Sequence, residues 1–88
     1  MIGPLTLDHP ALAHWRSEPA NQLHTDAAIQ AAIDEGYRYA KEHAAPRMPE
    51  NFLALAALFY VRFVYADDPS DKDLLRNGIH LIIARGET

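Results

Sequence analysis

Five histidines, His9, His14, His24, His43 and His80, are the first side chains in this 88-residue chain whose type could do chemistry. Metal ligands on one helix recur three or four residues apart, whereas His9 and His14 are five apart and point about 140° away from each other. No carboxylate stands at a useful offset from either, so no metal site is expected. Asp67, Asp68, Asp71 and Asp73 form a second group. A calcium loop needs oxygen ligands at alternate positions, a central glycine and a closing bidentate glutamate, and here a new helix begins before that pattern can be completed. Capping and dipole stabilisation of that helix explain the aspartates better. No glycine-rich phosphate loop, no spaced Ser, His and Asp set and no pair of inward carboxylates is present. The sequence therefore predicts a protein that is not an enzyme and holds no cofactor.

Arg62 is the remaining charge of interest, because it is the one charged residue in the run Phe52 to Ala66 (FLALAALFYVRFVYA). Read as a helix, that run is apolar nearly all the way round. Phe52, Ala56, Phe59 and Phe63 make one stripe, Leu53, Ala57, Tyr60 and Val64 a second, and Ala54, Leu58, Val61 and Tyr65 a third. Such a helix must be covered on several sides, by its own chain or by neighbouring copies. Arg62 then either snorkels near the helix end, where positive charge is favoured, or makes an ion pair across an interface. The run is too short for a membrane, which takes about 20 apolar residues, so no membrane contact is expected.

The other elements are read from what must position this helix. Apolar residues are 49% of the chain, and fifteen of them are alanines, a composition suited to close helix packing. There is no cysteine, which excludes disulfides and thiolate metal sites. A net charge of -4 without a basic run argues against direct nucleic-acid binding. After an extended start containing Gly3-Pro4, Asp8 is expected to cap a short helix with His9-Pro10 in its first turn and Leu12 and Trp15 inward. Ala20 to His24 reads as loop.

Thr25 or Asp26 opens the clearest amphipathic helix, running to about Ala44 with Ile29, Ala32, Ile33, Gly36, Tyr37 and Ala40 on its inner face. Gly36 in that face predicts a close crossing by the central helix. Ala45 to Met48 is a short turn, Pro49 begins the central helix, and the two helices form an antiparallel hairpin. One amphipathic helix is not expected to hide all three apolar stripes. Asp67-Asp68-Pro69 ends the central helix, and Ser70 to Asp73 reads as a capping box opening a last helix over about 70–85. Residues 79–84 fit a strand as well by period, but a lone strand would lack a partner. The expected fold is all-α, a single domain of three to four helices around a central apolar helix at about 49–66. It comprises a leader over 1–24, a hairpin over 25–66 and the C-terminal helix.

Two resemblances attach to particular residues. Arg76-Asn77-Gly78-Ile79-His80 resembles, one residue short, the Arg-Asn-x-x-x-His motif of HEPN ribonucleases; the missing residue turns the histidine by about 100° relative to that motif. The second covers roughly residues 5–65. Leu5-Thr6-Leu7 and Ala11 to Trp15, then Asp26 to Ile33 leading to Tyr37-Arg38-Tyr39, a proline turn, and an Ala-rich helix ending Leu58-Phe59-Tyr60-Val61-Arg62 resemble the small helical head-to-tail connector proteins of tailed bacteriophages. That resemblance implies a non-enzymatic, oligomerising subunit whose ring neighbours, or a portal-like protein, cover the central helix. It implies a cytoplasmic or virion-associated location and brings no catalytic residues. Leu58, Val61 and Tyr65, with Tyr60 and Arg62, are the candidate contact residues, and the stripe bearing Tyr60 or Tyr65 is expected to be bare in an isolated subunit. The alternative is a small regulatory or inhibitor protein that docks on a host enzyme or nucleic-acid-binding machine through its acidic surface.

Overall fold

The computed structural model describes residues 5–44 and 47–86, and among these the chain is all-α. Four helices follow in order, α1 (Pro10–Arg16), α2 (Asp26–His43), α3 (Glu50–Tyr65) and α4 (Pro69–Gly86), with a 3-10 turn at Pro19–Asn21. Residues 79–84 lie within α4, so the strand alternative is set aside. The expected turn at Ala45-Pro46 and the extended Gly3-Pro4 lie outside the described residues.

Local chemistry sets each helix start. Proline opens α1 and α4, where its missing N–H costs nothing. The cap of α1 is His9, not Asp8: its ring Nδ1 accepts from the Ala11 N–H at 3.2 Å. Thr25 caps α2 by accepting from the Ala28 N–H at 3.1 Å. Pro49 stands at the cap of α3, so the helix begins one residue later than expected. Ser70 does not cap α4; the Asp68 carboxylate accepts from the Ser70 N–H at 2.8 Å, because Pro69 already occupies the first helical position. The segment read as loop before α2 contains the 3-10 turn, and Asn21 within it is buried. Asn21 Nδ2 donates to the Trp15 carbonyl at 2.9 Å and to Glu18 at 3.3 Å, so it ties the turn to the end of α1.

The helix directions follow from which residues meet. Ile29 and Ile33 pack with Ala57, Leu58 and Val61, while Ala40, further along α2, packs with Leu53 and Ala56. Thus α2 and α3 run antiparallel. Along the other side of α3, Gly86 lies near Phe52, Gly78 against the Phe59 ring, and Lys72 beside Phe63, so α4 is antiparallel to α3 as well.

Two apolar clusters share α3. The first joins Leu5, Leu12 and Trp15 of the leader to Ile29, Ala32 and Ile33 of α2 and to Ala54, Ala57, Leu58 and Val61. The second joins Ala40, Leu53 and Ala56 to Ile79 and Ile83 of α4. Each stripe of α3 therefore has a cover within the same chain, and the expectation of a bare stripe is corrected. Tyr60 and Tyr65 are each half-buried; the exposed residues in the second half of α3 are Arg62 and Val64. The leader belongs to the core. Leu5, Leu12 and Trp15 are at most 7% exposed, and the Leu5 N–H donates to the Tyr37 hydroxyl at 2.6 Å, which pins the leader onto α2.

Lys72 links α4 to the end of α3. Its Nζ donates to the Phe63 carbonyl at 2.9 Å and lies 4.9 Å from the centre of the Phe63 ring. A charged donor on a helix-end carbonyl and a cation over a ring are each worth about 0.5–1 kcal/mol at a partly exposed site. Lys72→Met is expected to lower unfolding free energy by about 1 kcal/mol, read as a shift in urea midpoint at unchanged slope.

Candidate functional site

Of the five residues singled out from sequence, the structure separates three environments. Leu58 and Val61, at 8% and 0% exposure, belong to the core beneath α1 and α2 and present no surface for contact, because the leader covers their stripe. Arg62 and Tyr65 both line a cleft of about 390 Å³ between the α1 end and the α3–α4 junction, together with Trp15, Glu18, Asp71 and Leu74. Tyr60 lies elsewhere, against Tyr39 of α2.

An aromatic stack borders the cleft through Trp15 and Tyr65. The His24 ring lies 3.9 Å from Tyr65 and 6.0 Å from Trp15 between ring centres, and Trp15 is 5.5 Å from Tyr65. The segment carrying His24 is fixed by the 3-10 turn on one side and by an Arg16–Asp26 ion pair on the other. Arg62 has no ion-pair partner among the described residues, although Glu18 and Asp71 share its cleft. The cleft offers an apolar wall of Trp15, Tyr65 and Leu74 beside one cation, Arg62, and two carboxylates, Glu18 and Asp71.

The second environment spans α2, α3 and α4. The Tyr39 hydroxyl and His80 Nε2 are hydrogen-bonded at 2.7 Å, and the His43 ring lies 4.3 Å from Tyr39 and 5.5 Å from His80. His80 is thus engaged by Tyr39, and Arg76 pairs with Asp73 at 3.0 Å, which is where the structure places the residues of the ribonuclease-like fragment. Among the described residues no group of three or more His, Asp or Glu side chains is arranged to hold a metal ion.

Burial, and next the neighbouring Glu35 carboxylate, raise the Tyr60 phenol above its ordinary pKa of 10.0; Glu35 also accepts its hydrogen bond. The neutral phenol is the form favoured by folding. Its stabilisation is whole below pH 10.0 and is lost as pH rises through the higher folded value. In an absorbance titration the Tyr60 phenol is expected to ionise above pH 10.0, and Glu35→Gln is expected to lower its midpoint. A titration unchanged by Glu35→Gln would contradict this assignment.

A further surface, on α4, was not singled out from sequence. Leu74 and Leu81 of α4 are 69% and 58% exposed although the opposite face of the same helix buries Ile79 and Ile83. The signal was present: Leu74 and Leu81 are seven residues apart, two turns on one face, and both fall outside the stripe of Leu75, Ile79, Ile82 and Ile83. Leu23 is also 87% exposed, on the segment before α2. Among the described residues no helix is long and apolar enough to cross a membrane. No family model matches the sequence, and no curated protein or solved structure is significantly similar to it.

Proposed function

We propose that the protein works through protein-protein contact, as an oligomerising structural subunit of the phage head-to-tail connector kind, in the cytoplasm or on the virion. The observation that carries this reading is the outer face of α4, where two leucines stay in water on a helix whose inner face is fully used. Large apolar residues aligned on one exposed face are characteristic of surfaces that meet another protein. Leu74 also lines the cleft of Arg62 and Tyr65, so the contact surface continues from α4 onto α3. Arg62, with no ion-pair partner among the described residues, supplies the charge that a partner's carboxylate would meet. Central-helix coverage no longer supports assembly, since the chain covers α3 itself. Light scattering across a concentration series, alone and with a portal-type ring protein, tests the reading. Association in either arm is expected. A monomer that ignores the ring would overturn it.

A further inference from the structure

We infer that α4 pairs with α4 of a second copy, antiparallel, about a two-fold axis between Asn77 and Gly78. This rests on the reading above that the protein self-associates; it makes the α4 contact a closed two-fold one, so that a ring would be built from such pairs through a second, different surface. The outer stripe of α4 consists of Ser70, Asp71, Leu74, Asn77, Leu81, Ala84 and Arg85, all exposed and all spaced three or four apart or adjacent. It is self-complementary in an antiparallel sense. Placing the axis between Asn77 and Gly78 sets Leu74 of each copy opposite Leu81 of the other, Ser70 opposite Arg85, and Asp71 opposite Ala84, one residue from Arg85.

Three physical features favour this occupant over an unrelated one. First, a two-fold contact uses the same patch twice, so the patch must match its own reverse, and this stripe does so in apolar positions and in charge. Second, the stripe's acidic residue Asp71 is in the first turn of α4 and its basic residue Arg85 in the last, so antiparallel pairing brings opposite charges together, whereas parallel pairing stacks like charges. Third, the helix dipoles oppose each other in the same arrangement. Asn77, exposed at the centre, faces the axis with an amide that both donates and accepts, a group able to fix register between paired helices. The side of α4 facing its own chain is already committed, since a Cβ on Gly78 would come within 2.9 Å of the Phe59 ring.

The chain has no cysteine, so one introduced thiol gives an unambiguous cross-link. Under mild oxidation Asn77→Cys is expected to yield a disulfide-linked dimer, while Arg38→Cys, on exposed α2 surface, is expected to stay monomeric. Charge exchange supplies an independent readout. Asp71→Lys and Arg85→Glu are each expected to weaken self-association at least about tenfold, and the double variant to recover most of it. Circular dichroism melts confirm that each variant is folded. Assemblies that form without an Asn77→Cys cross-link and without rescue by the double variant would overturn the two-fold contact while leaving self-association standing. A wild-type chain that stays monomeric at every concentration would overturn both.

Discussion

Gly36→Val is expected to lower the free energy of unfolding by about 3 kcal/mol or more. A Cβ at position 36 would lie 2.9 Å from the Ala57 Cα, 3.0 Å from the Ala57 carbonyl oxygen and 3.1 Å from the Tyr60 Cβ. Carbon atoms in contact sit about 3.5–4.0 Å apart, and two of these three atoms are backbone of α3, so relief requires the helices to separate. The alanine variant separates the causes. Alanine restores about 1 kcal/mol of helix propensity, yet overpacking costs about 1–3 kcal/mol, so Gly36→Ala is expected to be less stable than wild type despite the better helix former. Valine adds two methyl groups to the same seam. A domain of this size has only about 4–13 kcal/mol in hand at ~0.05–0.15 kcal/mol per residue, so the valine variant should be near unfolding at 37 °C. Urea titrations followed by helical ellipticity check both. An alanine variant more stable than wild type would show that α2 and α3 do not cross so closely.

Trp15→Ala is the second large effect, at about 3–5 kcal/mol. Trp15 is 7% exposed, stacks near His24 and Tyr65, and closes the first apolar cluster over Leu58 and Val61. Truncation removes the wedge between α1 and α3 and leaves the Asn21 turn, which bonds to the Trp15 carbonyl, on a loosened end. Trp15→Phe keeps an aromatic wedge and is expected to lose less than half as much. Because the chain has a single tryptophan, its wild-type fluorescence reports this junction directly, and it should change together with ellipticity during unfolding. If the leader loosened first, tryptophan fluorescence would change at lower urea than the helical signal.

The two core helices were legible because their patterns are long. The α2 stripe of Ile29, Ile33 and Ala40 and the close crossing at Gly36 are visible as spacing, and the structure places them against α3. Helix starts were read to within a residue or two. The errors at Asp8 and Ser70 share one cause: His9 and Asp68 stand immediately before a proline, and the proline fixes the first helical position regardless of which polar neighbour is the better cap. The leader's burial is not legible because Leu5, Leu12 and Trp15 have no common period, and burial of an irregular segment is set by tertiary contacts alone. The same blind spot displaced the candidate surface. Apolar excess in α3 suggests an interface at Leu58 and Val61, but the leader fills that place, and within the helices water meets more of the excess on α4, at Leu74 and Leu81, than on α3, at Val64.

That surface can be tested without disturbing the fold, since neither leucine contributes to either core cluster. Sedimentation equilibrium of the wild-type protein and of the double variant Leu74→Glu/Leu81→Glu, over a hundredfold range of concentration, is the most direct measurement. The wild type is expected to rise above its monomer mass of 9.9 kDa with concentration, and the variant to remain at that mass with the same helicity and melting temperature. A variant that associates as strongly as the wild type would contradict the assignment of function to the outer face of α4.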